Sequence, residues 1–253
     1  MSGALTIVGL GPGPPELVTP AARAALLRAS DLVGYTAYLT RVPEQRGQRR
    51  HASGNRAEME RARHALELAA AGRQVALVSG GDPGVFAMAA AVFEAIDQGE
   101  ACWRTLDVRV EPGVTAMLAA AAEAGAPLGG DFCAISLSDN LKPWSTIARR
   151  LEAAAAGDFV MALYNPASQA RPHQLGRAFA LLREVKSPAT VVLLVRAAST
   201  GEARRITTTL AAVDPAAADM RTLVIVGASA TRVISRAGAE PWVYTPRRCG
   251  ALP

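Results

Sequence analysis

The sequence predicts an α/β protein of two domains with mostly parallel sheets, and three observations carry that expectation. Short apolar runs recur along the chain, at 5–9, 32–35, 74–79, 133–138, 159–164, 190–195 and 222–226. Runs apolar throughout are strands buried on both faces, and the helical segments between them supply the cover that parallel pairing requires. Several of the runs also end in a glycine-rich turn that opens onto the next helix. With 253 residues, 50% of them apolar, the chain has material for two cores.

The elements follow in order. The strand over 5–9 is closed by Gly9, and Thr19 is placed as an N-cap with Pro20 at the first helical position, opening a helix to about residue 29. A strand over 32–35 precedes residues 41–55, which are polar, basic and glycine-punctuated and are expected to form a loop. A helix over 57–71 leads to the strand 74–79, the turn Gly80-Gly81-Asp82-Pro83-Gly84, and a helix over 85–96. The strand 108–111 ends at Pro112-Gly113, where a domain boundary is placed, giving domains 1–112 and 113–253 with a cleft between them. The second domain repeats the theme: helix 115–124, strand 133–138, helix 143–156 opened by Pro143, strand 159–164, helix 174–184, strand 190–195 and a last buried strand 222–226.

Composition excludes several classes. The chain is too apolar for disorder, and Cys102, Cys133 and Cys249 are too few and too far apart for a disulfide scaffold, which favours a reducing compartment, the cytoplasm. Residues 1–13 lack the basic start of a signal peptide, and no apolar run approaches the roughly 20 residues of a membrane span. The formal charge of +5 favours an anionic partner. Lys142 and Lys186 are the only lysines, so 25 of the 27 basic residues are arginine, a bias of composition that weakens a nucleic-acid reading.

Three strand-to-helix junctions carry the chemistry. In the first, Gly9 and Gly11 suit a dinucleotide fingerprint, but its sixth position is Pro14, and Asp31 precedes the second strand instead of ending it. No Gly-Lys-Ser/Thr phosphate loop occurs. At the second, Gly80 and Gly81 let a ligand approach the backbone while Asp82 offers a carboxylate to a hydroxyl or ammonium group, or simply forms the turn. At the third, Pro112-Gly113-Val114-Thr115-Ala116-Met117, Thr115 either caps the helix or bonds a ligand. The three junctions fall on strand ends that can meet at one crevice. His51, His64 and His173 lack metal-ligand spacing, with His64 on a solvated helix face, and no Gly-x-Ser-x-Gly elbow is present, so neither a metal centre nor a nucleophilic triad is expected.

Taken together, 8–13, 80–83 and 112–116 resemble, in order and spacing, the tetrapyrrole methylase family. Ser136-Leu137-Ser138-Asp139-Asn140-Leu141-Lys142-Pro143-Trp144 and Leu163-Tyr164-Asn165-Pro166-Ala167-Ser168-Gln169-Ala170-Arg171 are similar to the branch of that family that works on cobalamin precursors. The resemblance implies S-adenosylmethionine as cofactor, an acidic tetrapyrrole as substrate, a homodimer, and methylation of carbon 17 of a precorrin with ring contraction. It implies a cofactor pocket of Gly80, Gly81, Asp82, Val85, Thr115, Ala116 and Tyr164, with Ala197 and Thr222 from later strand ends. It sets the loop of Pro12 against the tetrapyrrole. Asp139 is the candidate acid/base for ring contraction, with a turn cap as its alternative. Arg171, with some of Arg41, Arg46, Arg49 and Arg50, suits the substrate carboxylates. A family member with another substrate, including a diphthamide-pathway or rRNA methylase, or a non-catalytic nucleotide-binding module, stand as alternatives.

Overall fold

The computed structural model describes residues 3–55, 57–168 and 170–248, so Gln169 and Cys249 lie outside the described residues. The chain divides into two compact units, Met1–Ala116 and Met117–Pro253. The sequence-based boundary of 112 precedes this division.

The first unit contains β1 (Ala4–Gly9), α1 (Pro20–Arg28), β2 (Asp31–Tyr35), α2 (Thr36–Leu39), β3 (Arg49–Ser53), α3 (Glu58–Ala70), β4 (Gln74–Ser79), α4 (Met88–Gln98) and β5 (Asp107–Glu111). Its sheet has the order β3-β2-β4-β1-β5, and every pair is parallel. Because side chains alternate along a strand, each central strand feeds two cores. Leu5, Ile7, Val75 and Leu77 pack with Ala62, Leu66 and Val92 of α3 and α4. Val8, Leu32, Ala76 and Val78 pack with Ala22 and Ala25 of α1. Leu77 is fully buried, so truncating it to alanine would cost about 2–5 kcal/mol. Helix α1 starts as its sequence predicts, with the Thr19 hydroxyl accepting the Ala22 N–H at 3.1 Å and Pro20 at the first position.

Two expectations are corrected here. Residues 41–55 are not all loop, because 49–53 form the edge strand β3, parallel to β2. An edge strand needs less apolar cover, and its polar side chains have specific partners. Arg50 donates to the carbonyls of Leu39, Val42 and Pro43 at 2.9, 2.7 and 2.7 Å. His51 Nε2 lies 3.0 Å from Asp31 Oδ1. The helix expected from 85 starts instead at Met88, since Phe86 is held at φ +52°, a left-handed conformation that an α-helix cannot include.

The second unit contains α5 (Ala116–Ala124, its first residue belonging to the first unit), β6 (Gly125–Ala126), β7 (Phe132–Ser136), α6 (Trp144–Ala156), β8 (Val160–Tyr164), α7 (Gln174–Val185), β9 (Val191–Arg196), β10 (Arg204–Thr209), β11 (Thr222–Val226), β12 (Arg232–Arg236) and β13 (Ala239–Tyr244). Its main sheet runs β10-β9-β11-β8-β7, with β7 and β8 parallel and the other neighbours antiparallel. Parallel pairing thus dominates in the first unit, while this sheet is mixed. Ile147 and Leu151 of α6 and Leu175, Phe179 and Leu182 of α7 close over Met161, Leu163, Leu194 and Val224. A small sheet, β12-β13-β6, completes the unit, and β12 is exposed along its whole length.

Candidate functional site

In the first unit β1 lies between β4 and β5, so the turns that follow these three strands leave one end of the sheet side by side. They touch backbone to backbone. A Cβ on Gly113 would stand 2.2 Å from the Gly81 carbonyl oxygen and 3.0 Å from Gly9 Cα, and a Cβ on Gly9 would stand 2.7 Å from Gly113 N. Only glycine permits that approach. Gly11 and Gly81 exchange N–H···O bonds of 3.1 and 3.0 Å, both at positive φ. Asp82 fastens the group, its Oδ1 accepting the Gly84 N–H at 2.7 Å and its Oδ2 the Gly113 N–H at 3.0 Å. Val85 donates its N–H to the Asp82 carbonyl at 3.3 Å.

Gly81 faces the start of α5 with room for no more than a methyl group between them. A Cβ there would lie 3.8 Å from Thr115 Cα and 3.9 Å from Ala116 N. The structure therefore gathers Gly80, Gly81, Asp82, Thr115 and Ala116 at one sheet end, where open α/β sheets bind ligands. Pro12 sits on the neighbouring loop. That loop is held by Arg41, whose Nη2 reaches the carbonyls of Leu10, Gly11 and Gly13 at 2.7, 3.1 and 3.2 Å.

The second unit positions a further set. Tyr164 ends β8; its hydroxyl accepts the Met117 N–H at 3.1 Å and its carbonyl accepts the Leu137 N–H at 2.9 Å. Asn165, at φ +53°, donates from Nδ2 to Ser136 Oγ at 2.9 Å. Arg171 Nη1 donates to Ser138 Oγ and lies 3.7 Å from Asp139 Oδ1. The segments 136–144 and 163–171 are thus packed together, and the candidate base and the candidate carboxylate binder are neighbours.

Ala197 and Thr222 share the sheet end that Tyr164 occupies, because Thr222 is opposite Arg196 and Val224 is opposite Leu163. Ala197 is at φ +49° and donates its N–H to the Arg221 carbonyl at 3.0 Å. The buried Thr222 hydroxyl bonds Asp219, donating to Oδ1 at 2.8 Å and accepting the Asp219 N–H at 3.0 Å. Its hydroxyl shapes a turn.

The profile of the tetrapyrrole (corrin/porphyrin) methylases matches residues 4–214. A precorrin-3B C(17)-methyltransferase from a Sinorhizobium species is 54% identical over 247 residues, which cover 98% of this chain and 97% of that protein. The chain belongs to the tetrapyrrole methylase family. The crystal structure of the methyltransferase CobJ matches with a TM-score of 0.92 and 53% identity, covering 97% of this chain and all of that one. A uroporphyrin-III C-methyl transferase from Thermus thermophilus, complexed with S-adenyl homocysteine, matches with a TM-score of 0.64 and 27% identity over 89% of this chain and 97% of that one.

Against the tetrapyrrole methylase expectations, two arginines change role. Arg41, through Nη2, and Arg50, through both Nη atoms, donate to backbone carbonyls and build the first unit, whereas Arg46 and Arg49 are exposed. His64 is also more than a solvated residue: its Nε2 lies 3.0 Å from His51 Nδ1, and His51 leans on the buried Asp31. Burial pushes the Asp31 carboxyl up, but hydrogen bonds from His51, Ser30 and Arg73 outweigh it and hold it at about 2. No helix of the described residues is long and apolar enough to cross a membrane. Tyr38, whose ring lies against Gly80, also belongs to this sheet end, and its position just after β2 is its one trace in the sequence.

Proposed function

We propose that the protein is an S-adenosylmethionine-dependent methyltransferase that methylates carbon 17 of precorrin-3B, with ring contraction to precorrin-4, in cobalamin biosynthesis. The observation that carries this is the meeting of Gly9, Gly81 and Gly113 at one sheet end beside Thr115 and Ala116. It supports the reading because it makes a cradle without side chains, suited to a ligand lying against backbone. The identity to a precorrin-3B C(17)-methyltransferase over nearly both full lengths selects the substrate. The family resemblance also favours a cytoplasmic homodimer.

The residues fit the cofactor. Gly80 and Gly81 present backbone, Asp82 shapes the turn, and Thr115 and Ala116 face Gly81 across the gap a side chain would fill. Tyr164, Ala197 and Thr222, which share one sheet end in the second unit, are also proposed as cofactor contacts. When bound, S-adenosylmethionine supplies an electrophilic methyl group. The chain's own task is alignment: holding two reactants in line can supply roughly 7–11 kcal/mol of a barrier. Arg171 would hold a substrate carboxylate with its planar fork, the loop of Pro12 would line the substrate path, and Asp139 would take the proton released as the macrocycle contracts.

Incubation with methyl-labelled S-adenosylmethionine and precorrin-3B tests this. One labelled methyl per tetrapyrrole, on carbon 17 by NMR, is expected. Absence of transfer, with both ligands shown to be intact, overturns it.

A further inference from the structure

Tyr38, on α2, closes over the cradle from the side of β2. A Cβ on Gly80 would stand 2.7 Å from its Cζ and 2.8 Å from its hydroxyl oxygen. Tyr35 meets it edge to face, with ring centroids 5.4 Å apart at 87°. The ring is half-buried, yet among the described residues the hydroxyl has no hydrogen-bond partner and is not sealed from solvent. A tyrosine held this way by its ring presents its polar end to whatever fills the space beyond.

Two cationic groups lie within electrostatic reach of the same phenol. Arg41 and Arg61 both interact electrostatically with Tyr38, and burial pulls the pKa of each guanidinium down. Arg61 is only 6% exposed, and it donates to Ser53 Oγ and the Gly54 carbonyl, each at 2.7 Å. Arg41 donates to three loop carbonyls. Neither is in a salt bridge among the described residues, and Arg61 meets a carboxylate, that of Glu58, only through its longer-range field. Neutral partners fix both groups in place without cancelling their charge, so the field at Tyr38 favours an anion.

We propose that the Tyr38 hydroxyl is a substrate contact, donating a hydrogen bond to a carboxylate of the acidic tetrapyrrole while Arg41 and Arg61 stabilise that charge without touching it. The inference rests on the tetrapyrrole reading above and adds a specificity residue to it.

The test is Tyr38→Phe, which keeps the ring on Gly80. Steady-state turnover at saturating S-adenosylmethionine should show KM for the tetrapyrrole raised about tenfold or more, since a hydrogen bond to a charged group is lost. The Kd for S-adenosylhomocysteine and the melting temperature should stay at the wild-type values, which a merely structural role would not allow. Binding of a tetrapyrrole with esterified carboxylates should be equally weak in both proteins. An unchanged KM in the variant, beside a wild type that turns over, overturns this inference alone. A wild type that transfers no methyl group overturns it together with the functional reading.

Discussion

The Asp82 carboxylate accepts the Gly113 N–H at 3.0 Å, so one side chain ties the turn after β4 to the turn after β5. Its other oxygen is taken by the Gly84 N–H. Both acceptors point at the protein's own backbone, which makes Asp82 the residue that shapes the cradle. Replacing it by alanine should raise the Kd for S-adenosylhomocysteine about tenfold and lower stability by about 1–3 kcal/mol. Calorimetric titration with urea denaturation reads both. Native affinity in the alanine variant would remove Asp82 from the site.

Gly113 is the most crowded of the three glycines. In Gly113→Ala the new methyl would lie 2.2 Å from a backbone oxygen, so two strand ends must separate. A loss of about 1–3 kcal/mol or more and no measurable cofactor binding are expected. Wild-type binding by this variant would show that the close approach is dispensable.

Asp31 gives the first unit an acid-sensitive element. Its carboxyl sits at about 2 in the folded chain against 3.8 for an ordinary aspartate. A depressed carboxylate pKa stabilises above the unfolded value, and that contribution fades as pH falls through the folded one. About 2 kcal/mol should therefore be lost between roughly pH 4 and pH 2. Asp158 and Asp219 are also depressed, so the difference between wild type and Asp31→Asn is what should be followed by urea denaturation across that range. Parallel curves would contradict the assignment.

Arg171 and Asp139 should separate binding from ring chemistry. Arg171→Glu puts a carboxylate where a substrate carboxylate is proposed to bind, so KM for the tetrapyrrole should rise at least tenfold with cofactor affinity unchanged. Asp139→Asn should still transfer the methyl group but accumulate a product whose ring has not contracted, visible by mass spectrometry and NMR. Equal loss of both ligands in the first variant, or normal product from the second, would reject these roles.

What could be read from the sequence follows from burial. Strands β1, β4 and β11 are apolar in nearly every position because both faces are covered, and the pattern shows it. Strand β3 was hidden because Arg50 and His51 satisfy themselves on groups distant in sequence, a fact no local pattern records. Strands β10 and β12 lack a buried apolar run that would mark them, since β10 is only partly buried and rich in Arg and Thr and β12 is exposed throughout. The glycine turns of the cradle were legible as motifs, since close backbone approach leaves glycine as its trace. The pairing of Arg171 with Asp139 and the setting of Tyr38 depend on how strands are ordered, and only the folded chain displays them.

The most direct measurement is a crystal structure of the protein with S-adenosylhomocysteine. Electron density against the backbone of Gly80, Gly81 and Ala116 and the side chain of Thr115 is the predicted result. Density for the molecule at any other place, or none at saturating concentration, would contradict the account.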